Sequence, residues 1–216
     1  MKMKHPTPRL QDWWRVPRVM WHLLMRPNDI PRYFSMSLSS RLTPLKLGMP
    51  WWSFGAVDAV ARFIRPEMKV FEFGSGGSSI FLARRTKHVV CVEDSELWTD
   101  LVQGEAETQG LGNLEVVAKP FDFQKADNFN DSSYLRALGD RLYDIIVVDG
   151  QEDMVQVRPE CFWKAESCIK PGGLIVLDDS WRYPQVKAQN KAKLWKDYKG
   201  AGCCRRGVTS TCLFYY

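Results

Sequence analysis

Apolar runs alternate with polar breaks along residues 51–216 in a helix, strand, turn, helix, strand order. Phe54-Gly-Ala-Val-Asp-Ala-Val-Ala-Arg-Phe-Ile64 carries Val57, Val60, Ala61 and Ile64 at helical spacing. Val70, Phe71 and Phe73 follow as a short buried strand, and Ile80-Phe-Leu-Ala-Arg-Arg85 opens a helix after a glycine turn. His88-Val-Val-Cys-Val-Glu-Asp94, Leu114-Glu-Val-Val-Ala118, Tyr143-Asp-Ile-Ile-Val-Val-Asp149 and the run after Pro171-Gly-Gly173 read as four further strands. The same reading puts helices over 155–169 and 188–198, a short helix near 134–138, and a hairpin in 202–216 turning near 207–210. Strands that alternate with helices predict an α/β, doubly wound, mostly parallel sheet.

The glycine turn after the first strand reads Glu72-Phe-Gly74-Ser75-Gly76-Gly-Ser78-Ser79. Gly74 and Gly76 allow a tight turn and close approach of a ligand, and the amides of Ser78 and Ser79 at the helix start suit a negatively charged group. Glu93 ends the second strand about twenty residues on, where a carboxylate can take both hydroxyls of a ribose. Asp149 reaches the same rim from the strand 143–148, and Asp178 and Asp179 reach it from the strand after the Pro-Gly-Gly turn. Adjacent strand residues point to opposite faces, so Asp178 and Asp179 share one partner only if the chain bends between them. Capping of Ser180-Trp-Arg-Tyr183 is the competing reading for that pair.

Taken together, the Glu72 to Gly76 turn, Glu93, the Asp149 strand and the Pro171 to Gly173 turn make residues 50–216 resemble the class I S-adenosylmethionine-dependent methyltransferases. The resemblance implies a Rossmann-like, seven-stranded, mostly parallel sheet with an antiparallel final strand. It implies that Glu72, Gly74, Ser75 and Gly76 line the methionine part of S-adenosylmethionine, that Glu93 holds the ribose hydroxyls with Asp94 beside the adenine, and that Asp149 adjoins the cofactor. Within that superfamily, Asp149 with Asp178 and Asp179 resembles the Mg²⁺-binding set of the divalent-cation-dependent O-methyltransferases. Such an ion activates a hydroxyl of a small-molecule acceptor. The sequence departs from that pattern where many relatives place a base, because Gln151 cannot take a proton at neutral pH. Asp149 and Glu152 are then the candidate catalytic carboxylates, with Asp153 next to them. Trp181, Arg182 and Tyr183 are candidates for the acceptor wall, and Trp51 and Trp52 for a cover over the cofactor.

Charge divides the chain. Residues 1–50 hold nine Lys and Arg against two Asp and Glu, whereas residues 51–216 hold 21 against 23. The first fifty residues therefore read as a basic, Trp-rich N-terminal arm, with Trp13, Trp14 and Trp21 among Arg15, Arg18 and Arg26. An amphipathic helix at 19–25 could rest on an anionic membrane. Packing on the domain, or on a second copy in a homodimer, is the alternative. The acidic balance of the remainder counts against a broad nucleic-acid footprint. The six cysteines include no Cys-x-x-Cys pair, and Cys91, Cys161 and Cys168 read as small core residues in a reducing, cytoplasmic setting. Prolines at 6, 8 and 17 interrupt any early secretory-type apolar run.

Three other functions stay open at this stage. A metal-independent N- or O-methyltransferase needs no ion at the aspartates. A nicotinamide-dependent oxidoreductase is disfavoured by Glu72 beside the glycines and by Ser79 at the third glycine position of that fingerprint. A non-catalytic cofactor-binding module recruited by the arm is consistent with Gln151.

Overall fold

Alternation of side chains along the strands builds two apolar layers, one on each face of a single sheet. Our computed structural model describes residues 14–37, 42–123, 126–150 and 157–216. Three helices come first, α1 (Arg15–Met25), α2 (Asp29–Ser37) and α3 (Pro44–Leu47), followed by α4 (Phe54–Phe63). The sheet then runs β1 (Lys69–Phe73), α5 (Gly77–Ala83), β2 (His88–Glu93), α6 (Glu96–Thr108) and β3 (Leu114–Ala118). Beyond it come α7 (Ser133–Arg136), β4 (Tyr143–Val148), α8 (Arg158–Glu166), β5 (Ile169–Asp178), α9 (Pro184–Ala188), β6 (Leu194–Gly200) and β7 (Thr209–Tyr215).

Strand order is β3-β2-β1-β4-β5-β7-β6, with β7 antiparallel to both of its neighbours and the other pairings parallel. This is the expected doubly wound sheet with an antiparallel final strand. Val70, Ile145, Val147, Leu174 and Val176 point to one face with α4 and α5 residues such as Val60 and Ile80. Phe71, Phe73, Ile146, Val148, Ile175 and Leu177 point to the other, with Phe162 of α8 and Tyr134 of α7. Chain order reverses direction between β1 and β4, so the carboxyl ends of these two strands flank the crevice where such sheets receive ligands.

Two expected helices are corrected. The segment 188–198 is helical only as far as Ala188, and Leu194–Gly200 is the edge strand β6, paired along its whole length with β7. Its alternation is concealed because an edge strand facing water is rich in lysine, with Lys196 and Lys199 among its residues. Trp195 packs on Phe214, with ring centroids 6.4 Å apart, and anchors the pairing. The final hairpin therefore turns through 201–208, earlier than expected. At the other site, α8 ends at Glu166, and Ile169 already belongs to β5, where it partners Tyr143.

The α1 helix docks through Val19 and Leu23 onto Phe54, Ala201 and Cys203. Arg26 and Arg32 tie this region to α4 by pairing with Asp58 at 3.0 and 2.8 Å, while both also bind the buried Asp29. No helix among the described residues is long and apolar enough to cross a membrane. All six cysteines are free thiols and five are buried, among them Cys91, Cys161 and Cys168 as expected.

Candidate active site

Every sheet-derived carboxylate singled out in the sequence lies at the carboxyl ends of β1, β2, β4 and β5, but each has different company. Glu72, on β1, is 1% exposed. Its two oxygens accept hydrogen bonds from Ser78 Oγ at 2.5 Å and Ser79 Oγ at 2.6 Å, and Cys91 Sγ lies 3.5 Å away. Ser79 Oγ also accepts from the Gly76 amide at 2.9 Å. Glu72 therefore ties the glycine turn to the start of α5 from beneath. Burial pushes its carboxyl up to about 7, against the pull of Ser78 and Ser79.

Above that anchor the turn is shaped by backbone contact. Gly74 has φ +93°, and a Cβ there would lie 2.8 Å from Gly150 Cα and 3.0 Å from the Asp149 carbonyl oxygen. At Gly76 the nearest atom to a Cβ position is 3.9 Å away on Trp98, so that stretch of backbone faces open space into which a ligand can settle. Ser75 joins the turn to the end of β2 by donating from Oγ to Glu93 Oε2 at 2.8 Å, while its carbonyl accepts from Trp98 Nε1 at 2.9 Å. Glu93 Oε1 takes the amides of Asp94 and Ser95 at 3.2 and 3.3 Å. Burial, reinforced by Asp94 and opposed by Ser75, raises Glu93 to about 7.

On the opposite side of the crevice, Asp149 is held by two groups that the sequence did not reveal. Trp52 Nε1 donates to Oδ2 at 3.0 Å, and the Arg158 guanidinium approaches Oδ1 at 3.3 Å. Arg158 also donates to the carbonyls of Gly150 at 2.9 Å and Asp178 at 3.0 Å. Burial raises Asp149 to about 6, with Arg158 resisting the shift. The indole of Trp52 is thus neither a mobile cover nor a plain core residue: it is fully buried and orients this carboxylate. Its neighbour Trp51 is half exposed and stacks under the guanidinium of Arg205, 4.6 Å from the ring centroid.

At Asp179 the chain makes the bend that a shared partner requires, with φ +48°. The shared partner is an arginine. Arg205 Nη2 meets Asp178 Oδ2 at 3.1 Å and Nη1 meets Asp179 Oδ1 at 3.2 Å. Thr211 Oγ1 donates to the other Asp178 oxygen at 2.6 Å, and Thr209 Oγ1 donates to Asp179 at 2.9 Å. Burial and the nearby Asp149 push Asp178 upward. Burial would raise Asp179 too, but Arg205 and Arg158 hold it below its ordinary value. The competing cap is not formed at Asp179, which makes no side-chain capping bond to the turn that follows it.

The Mg²⁺ expected at Asp149, Asp178 and Asp179 does not fit this donor set. Guanidinium groups already contact all three carboxylates, and a dication would have to displace or face them. Among the described residues no group of three His, Cys, Asp or Glu side chains is arranged to hold a metal ion. Of the expected acceptor wall, Trp181 is 63% exposed, whereas Tyr183 is fully buried in the core. Gln151, Glu152 and Asp153, and with them one of the two expected catalytic carboxylates, lie outside the described residues.

No protein-family profile matches the sequence, and no curated protein matches it. Solved structures do match the fold. The O-methyltransferase TomG from Streptomyces achromogenes, in complex with S-adenosylmethionine, aligns at a TM-score of 0.56 and 17% identity over 96% of this chain and 99% of that one. An O-methyltransferase from Bacillus cereus with S-adenosylhomocysteine aligns at 0.54 and 18% identity, over 86% and 96%. An rRNA methylase from Streptococcus thermophilus aligns at 0.51 and 13% identity, over 73% and 92%. With its strand order, antiparallel β7 and glycine turn between β1 and α5, the chain has the Rossmann-like fold of the class I S-adenosylmethionine-dependent methyltransferases.

Proposed function

We propose that this chain transfers the methyl group of S-adenosylmethionine to a hydroxyl of a small-molecule acceptor. The reading rests foremost on the Glu93 corner, a carboxylate at a strand end that sits across Ser75 from the open face of Gly76. Glu93 and Glu72 are buried acids without an ion-pair partner among the described residues, and both are raised to about 7. A ligand bringing a ribose diol and a cationic amino group meets both needs, the diol by donating to Glu93 and the cation by offsetting the buried acids. When bound, S-adenosylmethionine supplies a methyl group activated by its sulfonium.

In this reading Ser75 and Gly76 line the methionine side and Glu93 orients the ribose. Glu72 fixes the turn through Ser78 and Ser79 and stays out of direct contact. Asp149 is the carboxylate on the acceptor side. It is ionised above about 6 and so is suited to take the acceptor's proton, with Glu152 as the other candidate. Two donors, Trp52 from ahead of α4 and Arg158 from the start of α8, hold it in one position, and such preorganisation is what an in-line displacement needs. The choice of a hydroxyl acceptor draws on the likeness to the O-methyltransferases from Bacillus cereus and Streptomyces achromogenes.

Calorimetry with S-adenosylhomocysteine tests the cofactor site. Because diol donors and a cationic ligand favour ionised Glu93, affinity is expected to rise about tenfold from pH 6 to pH 8 for a group titrating near 7. Glu93→Gln should weaken binding at pH 8 and remove most of that rise. Absence of binding by the unaltered protein at either pH would sink the methyltransferase reading.

A further inference from the structure

From the geometry at the end of β5 we infer that Arg205 is the resident cation of this site, standing where a metal-dependent methyltransferase would hold its dication. Asp178 and Asp179 are turned onto one group by the bend at Asp179, and that group is the fork of a single guanidinium, one nitrogen to each carboxylate. Planar guanidinium suits such a pair of oxygens, and it never loses its charge. The remaining contacts hold the fork in place. Thr209 Oγ1 accepts from Arg205 Nη1 at 3.1 Å while donating to Asp179, Thr211 locks the far oxygen of Asp178, and the guanidinium carbon lies over the Trp51 ring, 4.6 Å from its centroid. Arg205 reaches this position from the connection between β6 and β7, directly after Cys204, which is held at φ +53°. A non-glycine residue in that region is uncommon and marks a turn determined by its surroundings. The third carboxylate, Asp149, is matched by its own arginine. Arg205 therefore bridges the two aspartates and offsets their charge in place of a dication, and the site works in the presence of a chelator.

The inference is tested on the full chain with S-adenosylhomocysteine present, using Mn²⁺ as the probe and its electron paramagnetic resonance as the readout. The unaltered protein is expected to leave Mn²⁺ free up to about millimolar concentration, the range of weak oxygen-ligand sites. Arg205→Ala is expected to take up one equivalent, lost again in Arg205→Ala with Asp179→Asn. Stoichiometric binding by the unaltered protein that disappears in Asp179→Asn would overturn the inference, as would a folded Arg205→Ala that still excludes the ion. Should Arg205→Ala not fold, Arg205→Gln keeps the volume and a hydrogen bond without the charge, and the same two outcomes apply to it. These results do not depend on the methyltransferase reading, because Mn²⁺ binding can be measured whether or not S-adenosylhomocysteine binds.

A separate observation concerns α1. One side of this helix is buried through Val19 and Leu23, but Trp14, Trp21, Leu24 and Met25 are 73%, 63%, 66% and 67% exposed on the other. No acidic residue occurs from Trp13 to Asn28, while Arg15 and Arg18 flank the apolar stripe. Lys199 and Arg206, from the neighbouring hairpin, lie near enough to act electrostatically on His22 and Tyr33 and widen the basic surface. We propose that this face rests on an anionic lipid bilayer, its tryptophans at headgroup depth and its arginines on lipid phosphates. A second copy is the poorer occupant, because a two-fold contact would bring two copies of this basic surface together. Sedimentation of the full chain with phosphatidylcholine vesicles containing about one-third phosphatidylglycerol is expected to carry it into the pellet, because the attraction of anionic headgroups for the arginines adds to tryptophan insertion. Pure phosphatidylcholine should not. Trp21→Glu with Met25→Glu, both at exposed positions, should abolish pelleting and leave the melting temperature unchanged. Failure of the unaltered chain to pellet, or a dimer in sedimentation velocity that the same pair of substitutions dissolves, would overturn the proposal.

Discussion

Replacing Arg158 by methionine is expected to lower the folding free energy by about 3–5 kcal/mol, the cost of leaving a buried charge unpaired. Arg158 is 8% exposed and serves three acceptors at once: the carbonyls of Gly150 and Asp178 and the carboxylate of Asp149. Methionine fills much of the volume but satisfies none of them. The pH dependence follows from Asp149. Its carboxyl is already raised by burial to about 6 from 3.8, so the folded state holds its proton more tightly than the unfolded chain does, and stability falls as pH rises through that interval. Without Arg158 the folded value moves higher still, so the penalty continues to grow up to a higher pH. Denaturant titrations at pH 6 and pH 8 should therefore show a larger deficit for Arg158→Met at pH 8. Asp149→Asn in the same background should recover part of it, giving a coupling of about 1–3 kcal/mol in the double-mutant cycle. A deficit below about 1 kcal/mol, or one indifferent to Asp149, would show that the arginine does not compensate this carboxylate.

The contrast between Asp149 and Glu93 shows what a sequence can carry. Both were legible as strand-end carboxylates, since runs such as Tyr143 to Val148 are buried on both faces and end in an acid. Their partners were not equally legible. Ser75 and Glu93 are joined through a turn whose spacing is fixed by the fold, whereas Trp52 meets Asp149 across 97 residues and Arg205 meets Asp178 across 27. No periodicity announces such contacts. The bend at Asp179 was foreseen as the condition for a shared partner, but the nature of that partner was set by a hairpin whose boundaries the sequence misplaced. With β6 taken for helix and the hairpin turn placed near 207–210, Arg205 fell in a strand of the expected hairpin instead of the connection between β6 and β7. Lysine and polar residues on an edge strand read as a helix face because water, not packing, sets their pattern. The same limit applies to α1: the sequence allowed its tryptophans to pack inward, and only the structure shows Val19 and Leu23 filling that role instead.

Gly74→Ala is expected to be a damaging single-methyl change at the glycine turn. Gly74 has φ +93°, which an alanine adopts only with strain, and its new Cβ would sit 2.8 Å from Gly150 Cα. Neither side can yield easily. Gly150 is itself confined, with the Tyr134 hydroxyl against its own Cβ position, and the Gly74 amide is committed to the Val92 carbonyl at 2.8 Å. Strain and overpacking together amount to about 2–4 kcal/mol. Because the displaced backbone is the floor of the crevice between β1 and β4, much of that cost should appear as lost affinity for S-adenosylhomocysteine, about a hundredfold for 2.7 kcal/mol. Gly104→Ala provides the control: Gly104 lies within α6 with nothing inside 4 Å of its Cβ position, so alanine there should stabilise by about 0.5–1 kcal/mol through helix propensity and leave affinity alone. Thermal melts and calorimetry on the two variants separate the possibilities. If Gly74→Ala bound the ligand as tightly as Gly104→Ala, the crevice floor could relax around a methyl group, and the cofactor would not depend on the close approach of the turn to Gly150.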